Sequence, residues 1–507
     1  MKFRSISPQG VNYDVPAYLL EDSHYSSALN MSFRRGAAET VKGYAEVWRD
    51  DTKNVLYLLG NRRPGTFYWI MPSDTGVYVT DQSSAFDITP TGYDAGSDTD
   101  WTGVEVNGIA IINNGITEPW WWDGKTTNAM QPFSGWELGT TAGFIAGFKN
   151  FCIAGNITSN DVNFENQLDW SASVAAGLPP DDWLPVPSND AGDAILADVS
   201  GSLVDGAALH DQLVLAKHHA LYLMAYVGGQ FVFSFRKLSD SRGVLSTDCM
   251  VEHSGLLYIF SDGDLIVTDG STVQSIATDV VRDAVFKVLD TTRYKLCHVA
   301  LHQGRDEVWF LFPSSGNRYC NKAAVYTVTS KSWTVRDVPD VLVARPGLYF
   351  SSNDSIAWND DGSGWDGDGT GWDSGIISEI DDSVVMGSQH SINVAGAALD
   401  FGGAAIPTVL EKASMDFGDP VTVKNLLQVW LTTEGRPGDV LTVRCGGQMA
   451  RGDDILWGID HTFIIGSDDY IEVDVTGRFL SIRVESALNS PIQVGGIKFG
   501  YEDAGLW

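Results

Sequence analysis

A repeated unit constrains this chain more than any other feature. A polar turn leads into a short apolar strand, then a second turn and a second strand. The unit begins at Asn54-Val-Leu-Tyr-Leu-Leu and returns at Val106-Asn-Gly-Ile-Ala-Ile-Ile, Gly147-Phe-Lys-Asn-Phe-Cys-Ile-Ala and Leu209-His-Asp-Gln-Leu-Val-Leu-Ala. Two more copies start Glu252-His-Ser-Gly-Leu-Leu-Tyr-Ile and Leu301-His-Gln-Gly-Arg-Asp-Glu-Val-Trp, and a seventh is read at Ser352-Asn-Asp-Ser-Ile-Ala-Trp. The starts lie roughly 40–60 residues apart, the spacing of propeller blades. One small sheet cannot bury both of its faces, whereas a ring of sheets buries them against each other. The expectation is an all-β fold: a β-propeller of six or seven blades, followed by a C-terminal β-sandwich. An array of sandwiches without ring closure is the competing reading.

One copy reads as complete hairpins. Leu256-Leu-Tyr-Ile-Phe, Asp264-Leu-Ile-Val-Thr and Ser271-Thr-Val-Gln-Ser-Ile-Ala are three strands separated by Asp-Gly turns, a dipeptide suited to the positive φ of tight hairpins. The 53 glycines and 17 tryptophans fit turn-dense β structure with large aromatic anchors. The best helical pattern is short, at Asp279-Val-Val-Arg-Asp-Ala-Val-Phe-Lys-Val-Leu.

Residues 359–375 are acidic, Gly-rich and carry two tryptophans, and read as a linker or loop ending the propeller. Beyond it the strands alternate without the blade signature. Leu426-Leu-Gln-Val-Trp-Leu, Val440-Leu-Thr-Val-Arg, Tyr470-Ile-Glu-Val-Asp-Val, Phe479-Leu-Ser-Ile-Arg-Val and Val494-Gly-Gly-Ile-Lys-Phe-Gly-Tyr read as a sandwich. In Ile471-Glu-Val-Asp-Val and Leu480-Ser-Ile-Arg-Val the alternation predicts one buried and one wet face. The domain reading is an N-terminal arm with its first strands over 1–45, a propeller over 46–358, the linker over 359–375 and the sandwich over 376–507.

Charge narrows the function. With 33 basic and 65 acidic residues the net charge is −32, which argues against a phosphate-binding footprint and against anionic membranes. Cys152, Cys249, Cys297, Cys320 and Cys445 are odd in number and lack CxxC spacing, so neither a disulfide framework nor a zinc site is expected. The opening Met1-Lys-Phe-Arg-Ser-Ile-Ser-Pro has no apolar core of a signal peptide, and no run of about 20 apolar residues could span a bilayer. Folding in a cytoplasm is expected.

Candidate chemistry is thin, and the chain is expected not to be an enzyme. His218-His219 would point to opposite faces of a strand and not chelate one ion. Asp366, Asp368, Thr370 and Asp373 resemble the start of a calcium loop, but Ile377 stands where a bidentate Glu belongs, so a solvated turn is favoured over structural calcium. Asp360, Gly362 and Trp365 match part of an Asp-box, yet Trp358 occupies its Ser/Thr position. In Trp120-Trp121-Trp122 alternate rings face opposite ways, either as blade packing, the favoured reading, or as a sugar platform. No P-loop, Rossmann fingerprint or persuasive nucleophile elbow is present, and Arg451-Gly452-Asp453 is read as coincidence. No cofactor is expected.

Three segments resemble the tail nozzle, or tail-stabilisation (tail tubular B-like), proteins of short-tailed phages. Near the N-terminus Ala28-Leu-Asn-Met-Ser-Phe-Arg-Arg-Gly-Ala-Ala-Glu-Thr-Val-Lys-Gly-Tyr looks like the opening of that family. Arg236 to Ser275, with Gly243, Asp262-Gly and Asp269-Gly, resembles its blade. Met415-Asp-Phe-Gly-Asp-Pro followed by Lys424, then Gly477-Arg-Phe-Leu-Ser-Ile-Arg-Val-Glu-Ser and Ile497-Lys-Phe-Gly-Tyr, resemble its sandwich. The Gly-Arg-Phe-Leu-Ser-Ile-Arg segment is the most specific; the blade pattern fits many propellers.

The resemblance implies a virion protein of the phage tail. It would form a homohexameric ring below the head-to-tail adaptor, contact tail fibres and a plug or needle, and surround a channel for the genomic DNA. Six copies would multiply the acidic charge sixfold, and a wall of like charge would let DNA slide without adhering. A tail-associated carbohydrate-binding or glycan-depolymerising propeller is the alternative.

Overall fold

The computed structural model describes residues 1–63, 66–81, 84–229, 231–348 and 382–506. Among these residues, seven four-stranded antiparallel sheets follow one another. The first blade comprises Leu59–Arg63, Thr66–Pro72, Val77–Thr80 and Ala85–Asp87; the second comprises Thr102–Val106, Ile109–Asn113, Trp120–Trp122 and Gln131–Pro132. The third runs from Thr140–Phe148 to Gly192–Ile195, the fourth from Leu203–Leu209 to Phe233–Ser239 and the fifth from Met250–His253 to Val273–Ser275. The sixth starts at His298–His302 and ends on the first half of the long strand Ser332–Leu348.

The seventh blade is assembled from distant pieces. The second half of Ser332–Leu348 pairs with Asp382–Ser388, which pairs with Ser391–Ala395, which pairs with Tyr44–Arg49. A strand that precedes the first blade therefore closes the last one. Apolar clusters then fill every gap around the ring, including Val55, Leu58, Val343 and Val385 between the seventh and first blades. The β-propeller expected from the repeat is present, and it has seven blades.

Local chemistry makes the hairpins. Asn107-Gly108 and Ser254-Gly255 each join two strands through a two-residue turn with positive φ at both positions, the geometry that matches strand twist. Inner runs are apolar throughout because both faces of a blade are covered: every residue of Ile109–Asn113 and of Glu307–Phe312 is buried. The expected helix is one turn and a half, Arg282–Phe286.

The sandwich draws on both ends of the chain. One sheet has the order Tyr470–Gly477, Thr422–Glu434, Gln493–Leu506, Ala37–Thr40, Met31–Arg34, with Lys2–Ile6 also paired to Gln493–Leu506. The facing sheet runs Ser27–Leu29, Ile406–Met415, Phe479–Leu488, Val440–Gln448, Leu456–Ile464. Tyr25, Phe33, Leu426, Leu480, Ile482 and Phe499 fill the space between them.

Three readings from the sequence change here. Residues 1–45, read as an arm with its first strands, supply four strands of the sandwich. Residues 382–395, read as sandwich, are propeller strands. The N-terminal strands pair with partners hundreds of residues away, and Ser391–Ala395 pairs with Tyr44–Arg49, distances at which local pattern carries no signal. The seventh repeat read at Ser352–Trp358 lies outside the described residues. Finally, Ser481 is buried and accepts a hydrogen bond from the Ser414 amide at 3.0 Å, so it does not face water.

Candidate functional site

Two places concentrate polar side chains: the junction of propeller and sandwich, and the propeller axis. The junction centres on Glu307, the first residue of an otherwise apolar strand, with no exposed side-chain surface. Arg336 donates to both of its oxygens at 2.8 Å, and Trp309 donates at 3.2 Å. From the sandwich hairpin, Arg34 reaches Glu307 at 3.1 Å and also donates to the Arg305 carbonyl. Arg305 lies 3.6 Å from Glu39 on the same hairpin. Burial alone would raise the Glu307 carboxyl, but the surrounding guanidiniums, Arg336 foremost, hold it far below the usual carboxylate range. Beside them Asn30, fully buried with φ 54°, donates to Asp337 at 3.0 Å and to the Pro407 carbonyl at 2.7 Å.

The N-terminal segment singled out in the sequence is this junction. Phe33 enters the sandwich core, Arg34 binds Glu307, Gly36 makes the turn at φ 77°, and Glu39 faces Arg305. At Gly43 any Cβ would sit 1.7 Å from the Asp400 carbonyl oxygen, so only glycine fits. Tyr44 stacks on Phe401 with centroids 5.1 Å apart.

The three C-terminal segments also converge. Phe417 packs on Phe499 and Tyr501 at 5.3 and 5.0 Å. The buried ammonium of Lys424 donates to the carbonyls of Asp419, Thr422 and Arg478 at 2.6, 3.0 and 3.0 Å. Gly477 packs so tightly that a Cβ would lie 2.9 Å from the Gln448 amide nitrogen. Lys424 thus ties the Met415-Asp-Phe-Gly-Asp-Pro turn to the Gly-Arg-Phe-Leu-Ser-Ile-Arg strand.

At the axis, Arg345 on the inner strand of the seventh blade donates to Asp248 at 2.6 Å and to the Tyr57 hydroxyl. Tyr57 precedes the first blade and its hydroxyl donates to the Gly103 carbonyl of the second at 3.5 Å. Asp205, on the inner strand of the fourth blade, accepts from the Asp248 amide at 2.9 Å and the Gly206 amide at 2.8 Å. His298, opening the sixth blade, donates through Nε2 to the Leu342 carbonyl. Nearer solvent, Lys295 reaches Asp100 at 3.1 Å, linking the approaches to the sixth and second blades. Side chains from opposite sides of the ring therefore meet across the axis.

The residues weighed as chemistry fall elsewhere. Trp120 and Trp122 are buried in one interblade core and Trp121 packs on the other face, so they pack the blade and offer no sugar platform. His218 and His219 occupy a bend between strands, not the strand assumed for them, and His218 Nδ1 lies 3.2 Å from the Val244 carbonyl. All five cysteines are free and buried, and burial pushes the thiols of Cys152, Cys249, Cys297, Cys320 and Cys445 up. Arg451 sits over the Phe479 and Tyr18 rings. The calcium candidates Asp366, Asp368, Thr370 and Asp373, and the partial Asp-box at 358–365, lie outside the described residues.

Sequence reasoning missed two buried lysines, Lys217 and Lys412. Lys217 donates to Asn166 and the Leu196 and Val199 carbonyls, and Lys412 to the Glu21 and His24 carbonyls. Like Lys424, each is a cation held largely by backbone oxygens, at least one of them from a segment distant in sequence. A lysine within an apolar strand run, as in Leu213-Val-Leu-Ala-Lys217, was the available signal.

No protein-family model matches this chain, and no curated protein matches it. Among solved structures, the extracellular domain of a one-component system from B. thetaiotaomicron is similar at 10% identity and a TM-score of 0.41, covering 82% of this chain and 48% of that one. The aligned region thus spans about half the length of that structure. The WD40 β-propeller domain of Doa1 is similar at 10% identity and a TM-score of 0.36, covering 70% of this chain and 97% of that one.

Proposed function

We propose that this chain is a structural subunit of a short-tailed phage tail: the nozzle that closes the tail tube, assembled as a hexamer, conducting DNA at ejection and carrying fibres. The observation that carries this reading is the convergence of the family-like segments. Residues from four short stretches, chosen from sequence alone, become the joint between propeller and sandwich and the knot inside the sandwich. Such residues set a subunit's shape, which is what an assembly component must conserve mechanically.

Side chains across the propeller axis leave the conduit to form between subunits, around which acidic surface would repel phosphate. Contact surfaces are at hand. Among the described residues the strand Leu456–Ile464 is paired on one side only, and Leu456 and Ile459 are 77% and 74% exposed. An unpaired, apolar edge of this length is a place for another chain to add. The glycan-binding alternative loses the tryptophan platform on which it leaned.

Cryo-electron microscopy of the purified protein, with mass photometry for stoichiometry, tests the reading. Six-fold rings with a central channel, or six copies bound to a tail adaptor ring, are expected. Monomers that ignore the adaptor would overturn it.

A further inference from the structure

A propeller axis gathers one strand from every blade around a central channel, and in this chain Tyr57, Asp205, Cys249, Cys297 and His298 are buried there. In this chain the titratable groups there can be counted. Asp205 comes from the fourth blade, Asp248 and Cys249 from the fifth, Cys297 and His298 from the sixth, Arg345 from the seventh and Tyr57 from the approach to the first. The second blade offers the Gly103 carbonyl, and the inner strand of the third, Thr140–Phe148, has no titratable side chain. Burial holds His298 and both thiols to their neutral forms and Tyr57 to its phenol. The remaining charges are two carboxylates against one guanidinium. Asp248 takes the guanidinium directly at 2.6 Å. Asp205 has only backbone amides and is 8% exposed.

We propose that the propeller axis is a proton-operated latch: a proton held on Asp205 keeps the fourth, fifth and seventh blades locked around the Asp248–Arg345 pair, and its loss loosens that side of the ring. With the proton present, the cluster is neutral. Without it, one negative charge stays buried with two backbone amides and no counter-charge of its own, a state that proteins avoid by shifting protonation. Burial, and then the neighbouring Asp248 charge, raise the Asp205 carboxyl well above its ordinary range. The network also has slack: His298 Nδ1 and Arg345 Nε are buried without a hydrogen-bond partner, so a rearrangement need not break a saturated set.

A carboxyl raised in the folded state stabilises fully below its unfolded value, about 4, and loses that contribution as pH rises toward neutrality and beyond. The wild type should lose up to about tenfold in its folding equilibrium constant per pH unit across that window, relative to Asp205→Asn.

The latch works within one chain and does not depend on assembly. Its test is infrared spectroscopy of the full chain near neutral pH. The difference spectrum between wild type and Asp205→Asn should show the carbonyl stretch of a protonated carboxyl, because the raised carboxyls of Asp14, Asp169 and Glu411 cancel. Wild-type hydrogen exchange in Leu203–Leu209 and Met250–His253 should accelerate as that band titrates away. If Asp205→Asn does not fold, the wild-type band and its correlation with exchange still decide. A carboxyl band that does not track exchange, or its absence at neutral pH, would overturn the latch. So would an Asp205→Asn variant with the wild-type pH dependence.

Discussion

Arg336 holds Glu307 by two parallel hydrogen bonds of 2.8 Å in a place where the two side chains are 4% and 0% exposed. The pair lies in the sixth blade, yet its third partner, Arg34, comes from the sandwich. One buried carboxylate therefore joins two domains that the chain visits about three hundred residues apart.

Removing the carboxylate should be costly. Glu307→Gln leaves three guanidiniums facing one amide, and a loss of about 3–5 kcal/mol is expected. Arg336→Met should cost less, since Arg34 and Arg305 remain. Denaturant titration of both variants measures the difference. A smaller loss for Glu307→Gln would refute the central place given to the carboxylate.

The same pair sets an acid response. A carboxyl held far below its usual range contributes stability that is full above the unfolded value and is lost as pH falls through the folded one. Melting temperature followed from about pH 5 down to about pH 2 should therefore fall less steeply in Glu307→Gln than in the wild type.

Lys424 is a cation caged by three carbonyls. Lys424→Met keeps the stem but strands those oxygens, at an expected loss of at least about 2 kcal/mol. Proteolysis should then cut first near Asp419, where the turn is no longer tied down. Equal susceptibility in variant and wild type would show that the cage does not hold the turn.

At Gly43 a methyl group would meet the Asp400 carbonyl oxygen at 1.7 Å. Backbone must move, so Gly43→Ala should lose about 1–3 kcal/mol and loosen Tyr44–Arg49, the strand that closes the ring. Hydrogen exchange at Ala45 to Trp48 is the direct readout, and protection equal to the wild type would contradict it.

If Leu456–Ile464 is a subunit contact, Ile459→Asp should shift the mass distribution toward monomer while leaving monomer stability within about 0.5 kcal/mol, as for other surface changes. Unchanged stoichiometry would move the contact elsewhere.

The sequence by itself determined the blades. Short apolar runs with Asn-Gly, Ser-Gly and Asp-Gly turns are local signals, because a tight turn and a two-faced buried strand each write their own composition. It also marked Phe33-Arg34-Arg35-Gly36 and Gly477 to Arg483 as unusual, without saying what they touch. Only the tertiary structure decided that Tyr44–Arg49 closes the seventh blade, that Glu307 binds Arg34, and that Asp205, Asp248 and Arg345 meet on the axis. Those contacts join residues with up to several hundred positions between them. Their energy depends on burial, and burial exists only once the ring and the sandwich have formed.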